Sequence, residues 1–277
     1  MASSAQSSPR SNYVNYQPFR NVPGLFKAIR KREGIQEPVV LKVISNTCDT
    51  NERKLLEDAK HPNIISAVET WSTPSCDIVA MPELVGGDVC DWIMQGKVFS
   101  WRHVVGFTQQ MASALCYLHT ELGFVHADVS LENILLIEEE EGRIRFILTD
   151  FGLSYPKSAR FVCGKEFYAA PEVHDTVRWL GGEYVDVTKI DVFALGICLF
   201  TIVFNNYPFL TTSAGKCKGF LFFGQHGLES FLRHCRFPSS STNRQCISAL
   251  IEGMLCPSPG ARFSMPRVIS ESNKFVR

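Results

Sequence analysis

The sequence predicts an α+β protein of two lobes, a small β-rich N-terminal lobe and a larger, mainly helical C-terminal lobe. Three observations carry this. Short β-branched runs mark the first third of the chain, VVLKVI (39–44) and DIVAM (77–81) among them. After the Gly86–Gly87 turn the apolar pattern becomes helical, with Val104, Phe107, Met111, Leu115 and Leu118 on one face. The chain has 277 residues, 45% hydrophobic and 20% charged, which suits one large folded domain and is too apolar for wholesale disorder.

The elements follow in order. Residues 1–18 are rich in Ser, Asn and Gln and are expected to form a flexible tail. The folded domain then runs over 19–277, with an N-terminal lobe at about 19–81, a connecting hinge at about 82–88 and a C-terminal lobe at about 89–277. TNERKLLEDAKH (50–61) is a short helical pattern, with Asp49 as N-cap and Glu52 completing a capping box. Residues 100–120 form the amphipathic helix just described. FVHADV (124–129), ILLI (134–137) and IRFILTD (144–150) are short β signals. Glu138–Glu141 and Gly142 make the solvated tip of a hairpin between the last two. The longest apolar run, VFALGICLFTIVF (192–204), is shorter than the ~20 residues a bilayer span needs and reads as a buried helix. From Ser248 the pattern is helical again.

Composition excludes some functions. Lys+Arg and Asp+Glu both total 28, so the chain lacks the basic excess of a nucleic-acid binder. None of the ten cysteines forms a CxxC pair, so the usual zinc spacing is missing. MASSAQSSPRSNY has no apolar stretch and is no secretory signal, and no run suits a membrane span. The expectation is an intracellular, cytoplasmic protein with reduced thiols, partnered by neither nucleic acid nor membrane. Nothing in the sequence fixes an oligomeric state.

The chemistry concentrates in three loops. HADVSLENILL (126–136) sets Asp128 and Asn133 five residues apart, DFG (150–152) follows, and APE (170–172) comes 20 residues after Asp150. One carboxylate to position a hydroxyl, with an amide and a second carboxylate to hold metal against phosphates, suits phosphoryl transfer. In these motifs the chain resembles the protein kinase family over roughly residues 19–270. The resemblance implies a two-lobed kinase fold, ATP and Mg²⁺ as cofactors, and a protein substrate.

Residue by residue, the resemblance makes Asp128 the group that orients the acceptor hydroxyl and Asn133 and Asp150 the metal ligands. Lys42, ending VVLK, matches the lysine that binds the α/β-phosphates, and Glu52 its ion-pair partner. Glu52 also fits the capping box, so its carboxylate has two possible uses. VPGLFKAI (22–29) aligns with the glycine-rich phosphate loop, with Gly24 retained, Val22 and Lys27 at the other glycine positions and Ile29 at the valine position; an ordinary hairpin is the alternative. Val40 replaces the small residue above adenine. Met81 becomes the gatekeeper, Glu83 and Leu84 the hinge backbone for adenine, and Asp88 the ribose carboxylate. Asp191 matches the group that holds the catalytic-loop backbone, a helix cap being the simpler reading. Arg262 matches the arginine that pairs with Glu172. His119 and His126 are expected to order the lobe.

Two departures stand out. Ala127 replaces the arginine that receives an activation-loop phosphate in the family, which implies that phosphorylation of Ser154, Tyr155 or Ser158 is not a required switch. Ser130 replaces the catalytic-loop lysine of Ser/Thr kinases, while Lys165 stands where those enzymes carry a threonine. This exchange places Lys165 beside Asp128, with Ser130 as its hydrogen-bond partner, as an expectation. The implied function is transfer of the ATP γ-phosphoryl group to protein Ser/Thr hydroxyls. The alternatives are a catalytically weak scaffold on the same fold, which the eroded glycine loop favours, and a small-molecule kinase.

Overall fold

The computed structural model describes residues 12–20, 22–46, 51–159, 163–174, 186–213, 215–237 and 242–276. The N-terminal lobe is a five-stranded antiparallel sheet in the order β1-β2-β3-β5-β4. Its strands are β1 (Tyr13–Pro18), β2 (Leu25–Arg32), β3 (Ile35–Ser45), β4 (Glu69–Ser72) and β5 (Cys76–Pro82). The period-2 alternation of β3 builds two faces. Val39 and Leu41 pack outward with Tyr13, Trp71 and Ile78. Val40 and Ile44 join Leu55, Leu56 and Met81 on the inner face. Lys42 shares the parity of Val40 and is thereby aimed at the interlobe cleft.

Two expectations about this lobe are corrected. Tyr13–Pro18 is a strand and not part of a tail. Tyr13 anchors it: the ring lies 5.1 Å from that of Trp71 and the hydroxyl donates to Glu69 at 2.9 Å. One buried aromatic outweighs a polar composition. Helix α1 (Glu52–Asp58) takes Asn51 as its N-cap, with no side-chain capping bond, and Asp49 lies outside the described residues. Glu52 is buried and bonds to Lys42. Of its two uses, the ion pair is the one the structure shows.

The C-terminal lobe begins with α2 (Val89–Met94) and α3 (Trp101–Tyr117). Ser100 and His103 form a reciprocal cap at the start of α3, and the apolar stripe read from the sequence is buried throughout. The strands β6 (Phe124–Val125), β7 (Ile134–Glu138), β8 (Ile144–Leu148) and β9 (Tyr155–Pro156) pair as β6–β9 and β7–β8. Only the first two residues of FVHADV are strand, because Ala127 turns into the left-handed region at φ +66°. The apolar run forms α4 (Lys189–Phe204), buried on nearly every side. Helices α5 (Lys218–His234), α6 (Thr242–Met254) and α7 (Met265–Ser272) follow, α5 bending at Gly227. Among the described residues no helix is long and apolar enough to cross a membrane.

The hinge is fastened to β7 at Gly86–Gly87. A Cβ on Gly86 would lie 2.0 Å from the Leu136 carbonyl oxygen, and Leu136 N–H donates to Gly87 O at 3.0 Å. Only a glycine lets the chain run this close to β7. Gly86→Ala should therefore destabilise the fold by about 3 kcal/mol through forced backbone movement. Gly106→Ala, inside α3 where the new Cβ meets only Gln110 Nε2 at an ordinary 3.5 Å, should stabilise by about 0.5–1 kcal/mol. Urea unfolding midpoints of the two variants would move in opposite directions.

Candidate active site

The cleft between the lobes is a cavity of about 240 Å³. Its roof is Phe19, Arg20, Val22, Pro23, Leu25 and Val40, its back wall is Met81, and its floor includes Leu135 and Thr149. Val40 pairs directly with Met81 in the sheet, so two apolar side chains narrow the inner end. A larger cavity of about 440 Å³ lies apart, between α3, the β7–β8 hairpin and Phe275, and touches none of the candidate residues.

Lys42 is the charged centre of the cleft. Its Nζ lies 2.5 Å from Glu52 Oε1 and 2.8 Å from Asp150 Oδ1. Burial opposes the ammonium charge, but Glu52 and Asp150 outweigh it and hold Lys42 above the usual lysine value. Burial raises the Glu52 carboxyl, which Lys42 offsets only in part. At Asp150 burial acts in the same upward sense, but Lys42 prevails and leaves this carboxyl below its ordinary value. Asp150 holds φ +64°, a strained turn that sets the DFG carboxylate opposite Lys42.

The catalytic loop is hung from a single buried carboxylate. Asp191 Oδ2 accepts His126 N–H at 2.8 Å and bonds to His119 Nε2 at 2.8 Å, while Oδ1 accepts Ala127 N–H at 2.9 Å. This is the backbone-holding role the resemblance implied, and the N-cap of α4 is Thr188. His126 is wholly buried, which pushes its imidazole toward the neutral form, and its ring bonds to Thr149 O at 3.1 Å. Asn133 Nδ2 donates to Asp128 O at 2.9 Å and to Asp128 Oδ2 at 2.8 Å. Burial raises the Asp128 carboxyl, against the opposing pull of His126, Asn133 and Lys165. A carboxylate so raised is a better hydrogen-bond acceptor for a hydroxyl.

The set fits a magnesium-bound nucleotide. Asn133 spends its amide N–H groups on Asp128, which leaves Oδ1 outside those bonds. The donor set is then one amide oxygen and one carboxylate, Asp150. Magnesium is commonly bound through one or two protein oxygens together with substrate phosphates and water. Among the described residues there is no cluster of three or more His, Cys, Asp or Glu that would hold a metal alone.

Several sequence expectations change here. Ile29 sits opposite Pro38 in the sheet, away from the cleft, and Leu25, opposite Lys42, takes the roof position. The β1–β2 loop is shorter than the alignment assumed. Phe19 N–H bonds to Leu25 O, Val22 N–H to Phe19 O and Leu25 N–H to Val22 O, which closes the turn over Phe19–Leu25. Gly24, at φ +79°, completes that turn, with its carbonyl accepting Val43 N–H at 2.8 Å. Lys27 lies inside β2, paired with Glu83 of the hinge and 4.8 Å from the Phe19 ring, and does not stand at a glycine position. Asp88 caps α2 through Asp91 N–H, and its second oxygen is taken by Arg20, a residue the sequence did not single out.

Lys165 does not pair with Asp128. Its Nζ lies 2.9 Å from Glu132 Oε1, because that carboxylate projects from the next turn of the same loop and meets the lysine first. Glu132 Oε2 also accepts from the Tyr168 hydroxyl at 3.0 Å, and Tyr168 contacts the Tyr207 hydroxyl at 2.7 Å. Ser130 Oγ is fully buried and has no hydrogen-bond partner among the described residues, so it does not bond to Lys165. At the far end of this segment Arg262 grips Glu172 with two bonds of 2.6 and 2.8 Å, both side chains almost wholly buried. Ser154 and Tyr155 are buried, with Ser154 Oγ donating to His126 O at 3.2 Å, while Ser158 is exposed.

Comparison with known proteins agrees with this geometry. The model of the protein kinase domain matches residues 26–273. A serine/threonine-protein kinase, ppk25 of Schizosaccharomyces pombe, is 30% identical over 241 residues, covering 83% of this chain and 52% of its own. The serine/threonine-protein kinase DCLK1 of Rattus norvegicus is 30% identical over 223 residues, covering 79% of this chain and 48% of its own. NUAK family SNF1-like kinase 1 of Homo sapiens is 33% identical over 162 residues, covering 57% of this chain and 23% of its own. The chain thus spans about half or less of the length of these relatives.

Proposed function

The chain belongs to the protein kinase domain family, and from that premise we propose that it transfers the γ-phosphoryl group of ATP to serine or threonine hydroxyls of proteins. The observation that supports this most is the pairing of Lys42 with Glu52 and Asp150 in the cleft, together with the bonded pair Asp128–Asn133 on the catalytic loop. A pure scaffold has no chemical need of all five. The serine/threonine relatives and the absence of a tyrosine-kinase loop favour the hydroxyl class.

In this reading adenine lies between Val40 and Leu135, against the backbone of Glu83 and Leu84. Lys42 neutralises the α/β-phosphates and is itself positioned by Glu52. Asn133 and Asp150 hold Mg²⁺, which when bound supplies charge neutralisation to the phosphates. Asp128 accepts the hydrogen bond of the incoming hydroxyl and takes its proton as the hydroxyl oxygen bonds to the γ-phosphorus and the bond to the β–γ bridging oxygen breaks, ADP leaving. Lys165 supplies, from its seat on Glu132, the positive charge that Ser130 lacks. That charge already acts on Asp128, whose carboxyl it pulls downward. Protein substrates, with Mg²⁺-ATP as co-substrate, are the partners this reading requires.

Labelled γ-phosphate from Mg²⁺-ATP should appear on serine and threonine of generic protein substrates. Asp128→Asn and Asp150→Ala should abolish incorporation while thermal melting stays near that of the wild type. Equal incorporation by wild type and Asp128→Asn would sink the enzyme reading. A folded wild type without transfer would leave the scaffold role, which the glycine-poor roof favours.

Activity should not depend on activation-segment phosphorylation, because Ala127 offers no guanidinium and Ser154 and Tyr155 are buried. Phosphatase treatment should leave kcat unchanged, and a large loss would show that a basic residue elsewhere receives a phosphate. Lys165→Met should lower kcat by about 10²-fold, the scale of losing one preorganised donor at a developing charge. An inert Lys165→Met variant would remove Lys165 from the catalytic set.

A further inference from the structure

We infer that Arg20 occupies the sugar-recognition place of the nucleotide cleft, so that this site selects its nucleotide by base and triphosphate and not by the ribose hydroxyls. The inference rests on the ATP-site reading above and adds to it a specificity that the family match does not supply.

The geometry is local and complete. If the base lies against Glu83–Leu84 and the triphosphate at Lys42 and Asp150, the sugar between them passes the cleft mouth under the short β1–β2 turn. Arg20 lines that mouth. It leaves the turn with φ +53°, a conformation that costs an arginine and is kept here by the closed Phe19–Leu25 loop. Its guanidinium reaches down to the other lobe, with Nη1 2.5 Å from Asp88 Oδ2 and Nη2 3.1 Å from Asp91 Oδ2.

Both oxygens of Asp88 are therefore engaged. Oδ1 accepts the Asp91 N–H at 2.7 Å, Oδ2 accepts Arg20, and the side chain is only 5% exposed. A ribose hydroxyl seeking Oδ2 meets the Arg20 guanidinium in front of it, and to take that place it gives a neutral bond in exchange for a charge-assisted one, which is the stronger of the two. Arg20 does not restore the lost acceptor. It presents donors only, so a hydroxyl beside it finds no place for its own hydrogen.

The test compares ATP with 2′,3′-dideoxy-ATP, each with Mg²⁺, by calorimetric titration of wild type and Arg20→Ala. Both ligands carry the same triphosphate, so the change in local charge on removing Arg20 cancels in their affinity ratio. The wild type should discriminate by less than about threefold. Arg20→Ala frees Asp88 Oδ2 and should raise the preference for ATP by about tenfold, the worth of one regained hydrogen bond to a charged group. A wild type that already favours ATP by more than about threefold overturns the inference, as does an Arg20→Ala ratio that stays at the wild-type value. If neither nucleotide binds to folded protein, the ATP-site reading itself fails and takes this inference with it. Arg20 is 42% exposed at its side chain, so the variant should fold, and its thermal melt checks that it does.

Discussion

The catalytic geometry depends on one buried carboxylate. Asp191 is 1% exposed, yet it answers two backbone N–H groups and one imidazole. An unpaired charge at this depth would cost several kcal/mol, and three short bonds offset that penalty. Its seat in the first turn of α4, at the positive end of the helix dipole, adds to the compensation. Through Ala127 it keeps a non-glycine residue in the left-handed region, and that turn sets the direction of Asp128. Through His126 it reaches Thr149 and so the start of the DFG loop. A helix buried on nearly every side thereby fixes the loops of Asp128 and Asp150.

Charge pairs of similar length have unequal worth along the activation segment. Lys165–Glu132 is about 40% exposed on both sides, where ion pairs contribute roughly 0–1 kcal/mol. Glu172–Arg262 is almost wholly buried, and removing either partner there costs about 3–5 kcal/mol. The segment is thus strongly anchored at Glu172, in the helical core, and lightly held at Lys165, near the surface. Lys165 can exchange partners at little energetic cost, as its proposed role requires.

What the sequence made legible were groups whose spacing is set within one loop or one strand. Asp128 and Asn133 share a loop, and Lys42 follows from the strand parity of VVLK. The Asp191 and Arg262 roles were readable only by resemblance, since their partners lie 64 and 90 residues away. The roof of the cleft was misread for a physical reason. Without its glycines the β1–β2 loop closes as a short turn, which moved Leu25 to the position expected of Ile29 and placed Lys27 within a strand. Arg20–Asp88 spans 68 residues and two lobes, and neither residue type announces the other. The strand at Tyr13–Pro18 was hidden because one aromatic ring holds a segment whose composition is polar.

The close approach at Gly86 also determines how the two halves can move. Leu136 and Gly87 share a backbone bond, and no side chain fits between Gly86 and β7. The strand pairing of β5 ends at Pro82, whose own φ is fixed by its ring. Between Pro82 and this clamp only Glu83, Leu84 and Val85 remain in the hinge strand, and a second crossing at Asn63–Ile65 is bonded to Leu148 at the end of β8. A short pivot with a second tether of this kind permits a hinged swing and little sliding. Glu83, held to Lys27 on the upper half, sits within that pivot, so the upper half carries part of its own axle as it turns.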